Sequence, residues 1–214
     1  FTGCDYDWDD EEWIREIAIY VWKSMSDNSG MKNIDSEHKE AFDSAFNNIE
    51  ILGARLCVPM KVSELPDKFE LSSSYSEYVP LFEEKAKGKN IGSGLINISN
   101  LYLYYDREVK VADVSVICKD EHSFGEGIIY EFSFDLLNFQ PVLLGGQADI
   151  NSDISVMKDF LGEGNEFYEK SEYSDSIFCT LCYTDGNRMI ELSYGIKGDD
   201  VNFLTGSIRT YREL

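Results

Sequence analysis

Residues 143–211 run from a glycine turn through one short stretch of helical period into four runs of two-residue period, and this stretch limits the fold more than any other. Leu143-Leu144-Gly145-Gly146 reads as a turn. Asn151, Ser152 or Asp153 then caps a helix whose apolar face is Ile154, Val156, Met157, Phe160 and Leu161, and Gly162 stands where a left-handed C-terminal cap belongs. Strands are expected at about 166–168, 177–184, 188–195 and 201–211, with Asp185-Gly186 as a hairpin signal between the middle pair. Such a unit is a helix packed on an antiparallel meander.

Upstream, Trp13, Ile14, Ile17, Tyr20, Val21 and Met25 recur at helical spacing over 9–26, and Ala41, Phe42, Ala45, Phe46 and Ile49 do so over 36–48. At Ile49 the period changes from helical to alternating. Ile49-Glu50-Ile51, a Leu52-Gly53 turn and 54–58 read as a small hairpin or a kinked strand closed by Pro59. A helical turn over 62–69 and a serine loop at Ser72, Ser73, Ser74 and Ser76 should follow. Strands are then expected at 94–98, 101–105, 109–118 and 127–134, with a slip at Ala112-Asp113 that predicts a β-bulge. The expected class is α+β. It comprises a tether at 1–8, N-terminal helices at 9–48, and two helix-plus-antiparallel-sheet units at 49–140 and 141–214.

The chain is 43% hydrophobic and 14% aromatic, too apolar to stay disordered. Forty acidic against 19 basic residues give a net charge of −21, which repels phosphate backbones and anionic headgroups and argues against a nucleic-acid partner. Trp13 and Trp22 suggest a membrane-surface helix, but its polar face carries more acid than base, which favours core packing. No apolar run reaches the roughly 18 residues of a membrane span. Phe1-Thr2-Gly3-Cys4 has the form of a bacterial lipobox, so Cys4 is the expected lipidation site and a lipid there the only expected membrane contact. The alternative is an incidental cysteine.

Catalytic chemistry finds little support. Cys179-Thr180-Leu181-Cys182 has redox or zinc spacing, but residues three apart in a strand face opposite ways and lie about 10 Å apart. Neither His38 nor His122 lies at a spacing that completes a zinc site. His122 beside Asp120, Glu121 and Ser123 reads as a solvated turn. Gly88, Gly92 and Gly94 lack the following helix of a phosphate loop. Asp5, Asp7 and Asp9 lack the central glycine and twelfth-position glutamate of a calcium loop, and Asp199-Asp200 reads as a hairpin tip. No cofactor and no metal site are therefore expected. Cys57 and Cys118 can meet across the first sheet as a structural disulfide or remain free.

The spaced residues Gly145-Gly146, Asp149-Ile150, Ser152-Asp153, Val156, Phe160-Leu161-Gly162, Tyr168, Leu181, Tyr183, Ile190, Leu192, Tyr194 and Ile208 resemble the pattern of uncharacterised lipoproteins from Gram-positive anaerobes. In the first half, Ile51-Leu52-Gly53, Leu56-Cys57-Val58-Pro59, 62–65 and 114–118 look like the partner segment of that pattern. Its plan is similar to that of the β-lactamase inhibitor protein and of small outer-membrane-assembly lipoproteins. One departure is Gly162-Glu163-Gly164, where the family places a proline after the helix-ending glycine. The resemblance implies fold and no active-site residue. The expected function is a non-enzymatic cell-surface lipoprotein presenting aromatic side chains, with Tyr183 and Tyr194 as candidates, to a protein partner. The alternative, drawn from the charge and the inhibitor-like plan, is an acidic immunity or inhibitor protein that neutralises a secreted toxin or enzyme.

Overall fold

A computed structural model describes residues 31–79, 96–118, 127–135, 140–171 and 176–210. Cys4 with its tether, the expected helix at 9–26, the glycine run at 88–94 and His122 lie outside them. Among the described residues the chain is α+β, with two α-helices and two antiparallel sheets.

Helix α1 (Lys39–Asn47) forms where Phe42, Ala45 and Phe46 share one face, and it buries that face. The chain then enters hairpin β1 (Ile49–Ile51) and β2 (Ala54–Leu56) through Leu52-Gly53. Both turn residues have positive φ, 51° and 76°, the conformation whose twist matches a two-residue hairpin. Far along the chain, β8 (Val142–Leu144) pairs with β1 and β9 (Ala148–Asp149) with β8, giving the order β2-β1-β8-β9.

The larger sheet draws β3 (Met60–Lys61), β4 (Phe69–Val79), β5 (Ile96–Tyr105), β6 (Val109–Cys118) and β7 (Ile128–Asp135) from the first half. From the second half come β10 (Asn165–Lys170), β11 (Ile177–Thr184), β12 (Arg188–Lys197) and β13 (Asp200–Thr210). Its order is β10-β11-β12-β13-β7-β6-β5-β4, with β3 also on β7. The two meanders meet at β13 and β7, where Ile208 stands opposite Phe132. One face of this sheet, including Leu103, Val114, Phe132, Ile208, Leu192 and Leu181, joins α1, the small sheet and Met157 and Leu161 of α2 (Ile154–Leu161) in one core.

Two expectations about strands change. Ser72, Ser73, Ser74 and Ser76 lie in β4 rather than a loop, because pairing with β5 supplies the backbone partners that serine's weak strand propensity does not outweigh. The bulge predicted at Ala112-Asp113 falls one residue earlier. Leu103 pairs with Ala112 and Tyr104 with Lys110, so Val111 is the extra residue.

Asp153 caps α2 by accepting from Ser155 N at 2.9 Å, and Gly162 ends the helix at φ 83°, ψ −171°. Only glycine occupies that region comfortably, and an added Cβ would lie 2.9 Å from His38 Nδ1. Gly162→Ala should therefore lower stability by about 1 to 3 kcal/mol, read as a shift in urea midpoint at unchanged slope. The second glycine of the departure, Gly164 at φ 64°, lets the backbone cross the Tyr183 ring, where a Cβ would lie 2.7 Å from Cε1.

Candidate functional site

Because strand side chains alternate, the register that turns Leu103, Val114, Phe132, Ile208, Leu192 and Leu181 inward turns their neighbours to the other face of the large sheet. At one end of that outer face Tyr102 and Tyr104 stand edge to face, centroids 6.4 Å apart. Lys110 Nζ lies 4.6 Å above the Tyr102 ring and is anchored by Asp113 at 3.0 Å and Asp135 at 3.6 Å. Burial pulls the Lys110 pKa down, but the two carboxylates outweigh it and the net shift is upward, so the ammonium stays charged.

At the centre Arg209 lies between Glu131, 3.6 Å away, and Glu191, 3.4 Å away, and Ser115 Oγ donates to Glu131 at 3.1 Å. Burial pushes the Glu131 carboxyl upward. Glu191 adds to that push, and Arg209 and Ser115 oppose it without reversing it. At the far end Phe167 and Phe178 are diagonal neighbours on β10 and β11, 49% and 37% exposed. Tyr168 and Ile177 lie diagonally on the opposite face of the same two strands, 62% and 42% exposed. The β10/β11 end of the sheet is thus apolar on both sides.

The aromatic pair expected to face solvent faces the core instead. Tyr183 and Tyr194 are 1% and 0% exposed. They share the inward parity of Leu181 and Leu192, and each hydroxyl is consumed internally. Tyr183 donates to Gly162 O at 3.1 Å and Tyr194 to Ile150 O at 3.2 Å. Burial, the largest influence on both phenols, raises their pKa values. Tyr183 and Tyr194 are therefore not the binding surface.

The Cys57–Cys118 disulfide is corrected as well. Cys57 is a free, half-buried thiol whose Sγ donates to Pro59 O at 3.5 Å. β7 lies between β3 and β6, so even level residues of those strands are about 9 to 10 Å apart, beyond the roughly 7 Å a disulfide spans. Cys57 precedes the shared level and Cys118 follows it. Cys179 and Cys182 are buried, free and on opposite faces of β11, and burial pushes the Cys182 thiol up to about 12.

The exposed residues that alternation alone did not single out carried one readable signal. Phe167-Tyr168 and Ile177-Phe178 are adjacent apolar pairs in strands, and adjacent strand residues cannot share a face. At least one of each pair must lie away from a one-sided core.

A cavity of about 200 Å³ lies between 32–35 and the start of β10. Lys32 N donates to Asn165 Oδ1 beside it at 2.8 Å, and Asn165 Nδ2 donates back to Lys32 O at 2.8 Å. A second, of about 280 Å³, lies beside Asp67, Glu70, Asp106 and Arg107, whose Nε is 2.7 Å from Glu70 Oε2. Glu131 lines neither. Among the described residues there is no cluster of three or more metal-ligating side chains, and no helix is long and apolar enough to cross a membrane. No family model matches the chain, and no curated protein or solved structure matches it.

Proposed function

We propose that this chain is a non-enzymatic binding or scaffold protein that engages a protein partner through the outer face of the large sheet and is held at a cell surface by lipid on Cys4. The observation that carries the reading is the aromatic content of that face, with Tyr102 and Tyr104 at one end and the exposed Phe167 and Phe178 at the other. Inward packing of Tyr183 and Tyr194 does not weaken it, because the same alternation that buries them turns other rings outward.

The finer plan is of two like units placed side by side. In support, each sheet joins strands of the first half to strands of the second at an antiparallel pair, β1 with β8 and β13 with β7. The alternative role, an immunity or inhibitor protein, draws on the charge of −21, which would attract a basic toxin.

The test is capture from native envelope with the lipid-free chain as bait, alongside a bait carrying Tyr102→Ala and Phe178→Ser. One protein should be enriched by the unaltered bait and lost with the altered one. Equal capture by both would sink the outer-face reading. A captured basic protein released by moderate salt would favour the immunity role. Mass spectrometry of native protein should find acyl chains on Cys4, and an unmodified thiol there would remove the lipid anchor.

A further inference from the structure

We propose that two copies of this chain pair edge to edge through β10, antiparallel about a two-fold axis at Tyr168, to form one sheet continuous across both copies.

Ser171 N donates to Ser176 O at 3.0 Å, in register with Lys170 opposite Ile177. In an antiparallel ladder hydrogen-bonded pairs alternate, so Phe167 and Glu169 also point their backbone groups at β11, while Glu166, Tyr168 and Lys170 point theirs out of the sheet. Among the described residues β10 is the outermost strand on this side. Exposed apolar side chains lie on both its faces, which marks an edge that a partner covers.

Antiparallel self-pairing requires outward-pointing residues to meet outward-pointing residues, which places the axis on a residue and not between two. With the axis on Tyr168, Tyr168 meets its own copy and Glu166 meets Lys170 of the second copy, twice by symmetry. All three outward residues of each copy are then used, and opposite charges stand directly across from one another. With the axis on Phe167, Glu166 meets Tyr168 and the charge pairs are lost. With it on Glu169, two glutamates are opposed. The Tyr168 register also sets Phe167 of one copy diagonal to Phe167 of the other on the outer face, each across from Glu169 of the opposite copy.

Glu166 already receives Lys158 Nζ at 2.6 Å and the Tyr168 hydroxyl at 2.5 Å, which fixes it in place before a second copy arrives. The opposing force is the net charge of −21 on each copy. Salt screens that long-range repulsion more than the short cross-strand pairs, so association should strengthen as salt is added.

The experiment is sedimentation of the full chain over a range of protein and salt concentrations. A mass twice 24.5 kDa is expected, favoured by higher salt. Lys170→Glu and Glu166→Lys should each weaken self-association roughly ten- to a hundred-fold, because each replaces two attractive pairs with two repulsive ones. An equimolar mixture of the two variants should regain the heterodimer, since both cross-strand pairs are again of opposite sign. A wild-type chain that stays monomeric at every accessible concentration overturns the proposal. So does association that salt weakens, a dimer indifferent to Lys170→Glu, or folded variants that do not complement each other.

Discussion

Tyr194→Ala should lower the stability of the protein by about 3 to 5 kcal/mol, the range for emptying a fully buried aromatic site. The ring is 0% exposed, meets Phe203 edge to face with centroids 5.9 Å apart, and donates to Ile150 O at 3.2 Å. Truncation removes the packing and also leaves that carbonyl without its side-chain donor. Tyr194→Phe keeps the packing and removes only the hydrogen bond, so a loss of about 1 kcal/mol is expected. Urea denaturation separates the two, with a large fall in midpoint for alanine, a small one for phenylalanine, and an unchanged slope for both. A difference of under about 1 kcal/mol between these variants would contradict the burial of the ring. Capture of a partner should be unaffected by Tyr194→Phe, because the residue faces away from the proposed surface.

Arg188→Met should lower stability by about 2 to 4 kcal/mol, less than for a wholly buried ion pair because the cluster retains some solvent contact. Arg188 extends from the start of β12 onto α1. Its Nη2 donates to Asp185 Oδ2 at 2.7 Å, its Nε donates to the same oxygen at 3.0 Å, and Nη2 also bonds Asp43. Its guanidinium carbon lies 5.1 Å and 4.9 Å from the Phe42 and Phe46 ring centres, so one cation holds the hairpin carboxylate, the helix carboxylate and two rings together. Methionine keeps the stem's apolar contact and removes the charge, leaving Asp185 with only the backbone N–H groups of Asn187 and Arg188 and the Lys39 ammonium 3.8 Å away. Asp185→Asn in the same chain should recover part of the loss, which a double-mutant cycle measures.

The same cluster sets a pH dependence. Burial pulls the Asp185 carboxyl upward, but Arg188 and the backbone N–H groups of Asn187 and Arg188 outweigh it. The net shift is downward, and Asp43 moves the same way against its own burial. Groups held below their unfolded pKa of about 3.9 contribute stability that is complete above that value and lost as pH falls through the folded pKa. Acid unfolding should therefore begin below about pH 4 and show a shallower dependence in Arg188→Met. An identical acid profile for the two proteins would exclude this cluster as the cause.

Much of the local structure was readable in the residues. Phe42, Ala45 and Phe46 define α1, Asp153 and Gly162 bracket α2, and 177–184 and 109–118 are strands at the expected limits. Each follows from interactions between near neighbours, in a cap, a turn or a side-chain period. β4 escaped this reading because its strand character comes from β5, a separate segment of chain, and not from its own serines.

Sequence alone determined that Tyr183 shares a face with Leu181 and Cys179 while Phe178, Thr180 and Cys182 share the other, because backbone geometry fixes that alternation within a strand. Which of those faces meets the core was decided only when α1, α2 and the small sheet packed against one of them. Thr180 and Thr184 make the face of Phe178 and Cys182 the more polar one, but both faces carry large apolar or thiol side chains, and only the packing of the other elements commits one of them to the core. The same holds for the order of the strands. Nothing local to β7 or β13 announces that they pair, and nothing local to Asn165–Lys170 announces an edge. Those features arise from contacts between segments far apart in the chain, and they place Phe167 and Tyr168 at the surface and Tyr183 and Tyr194 beneath it.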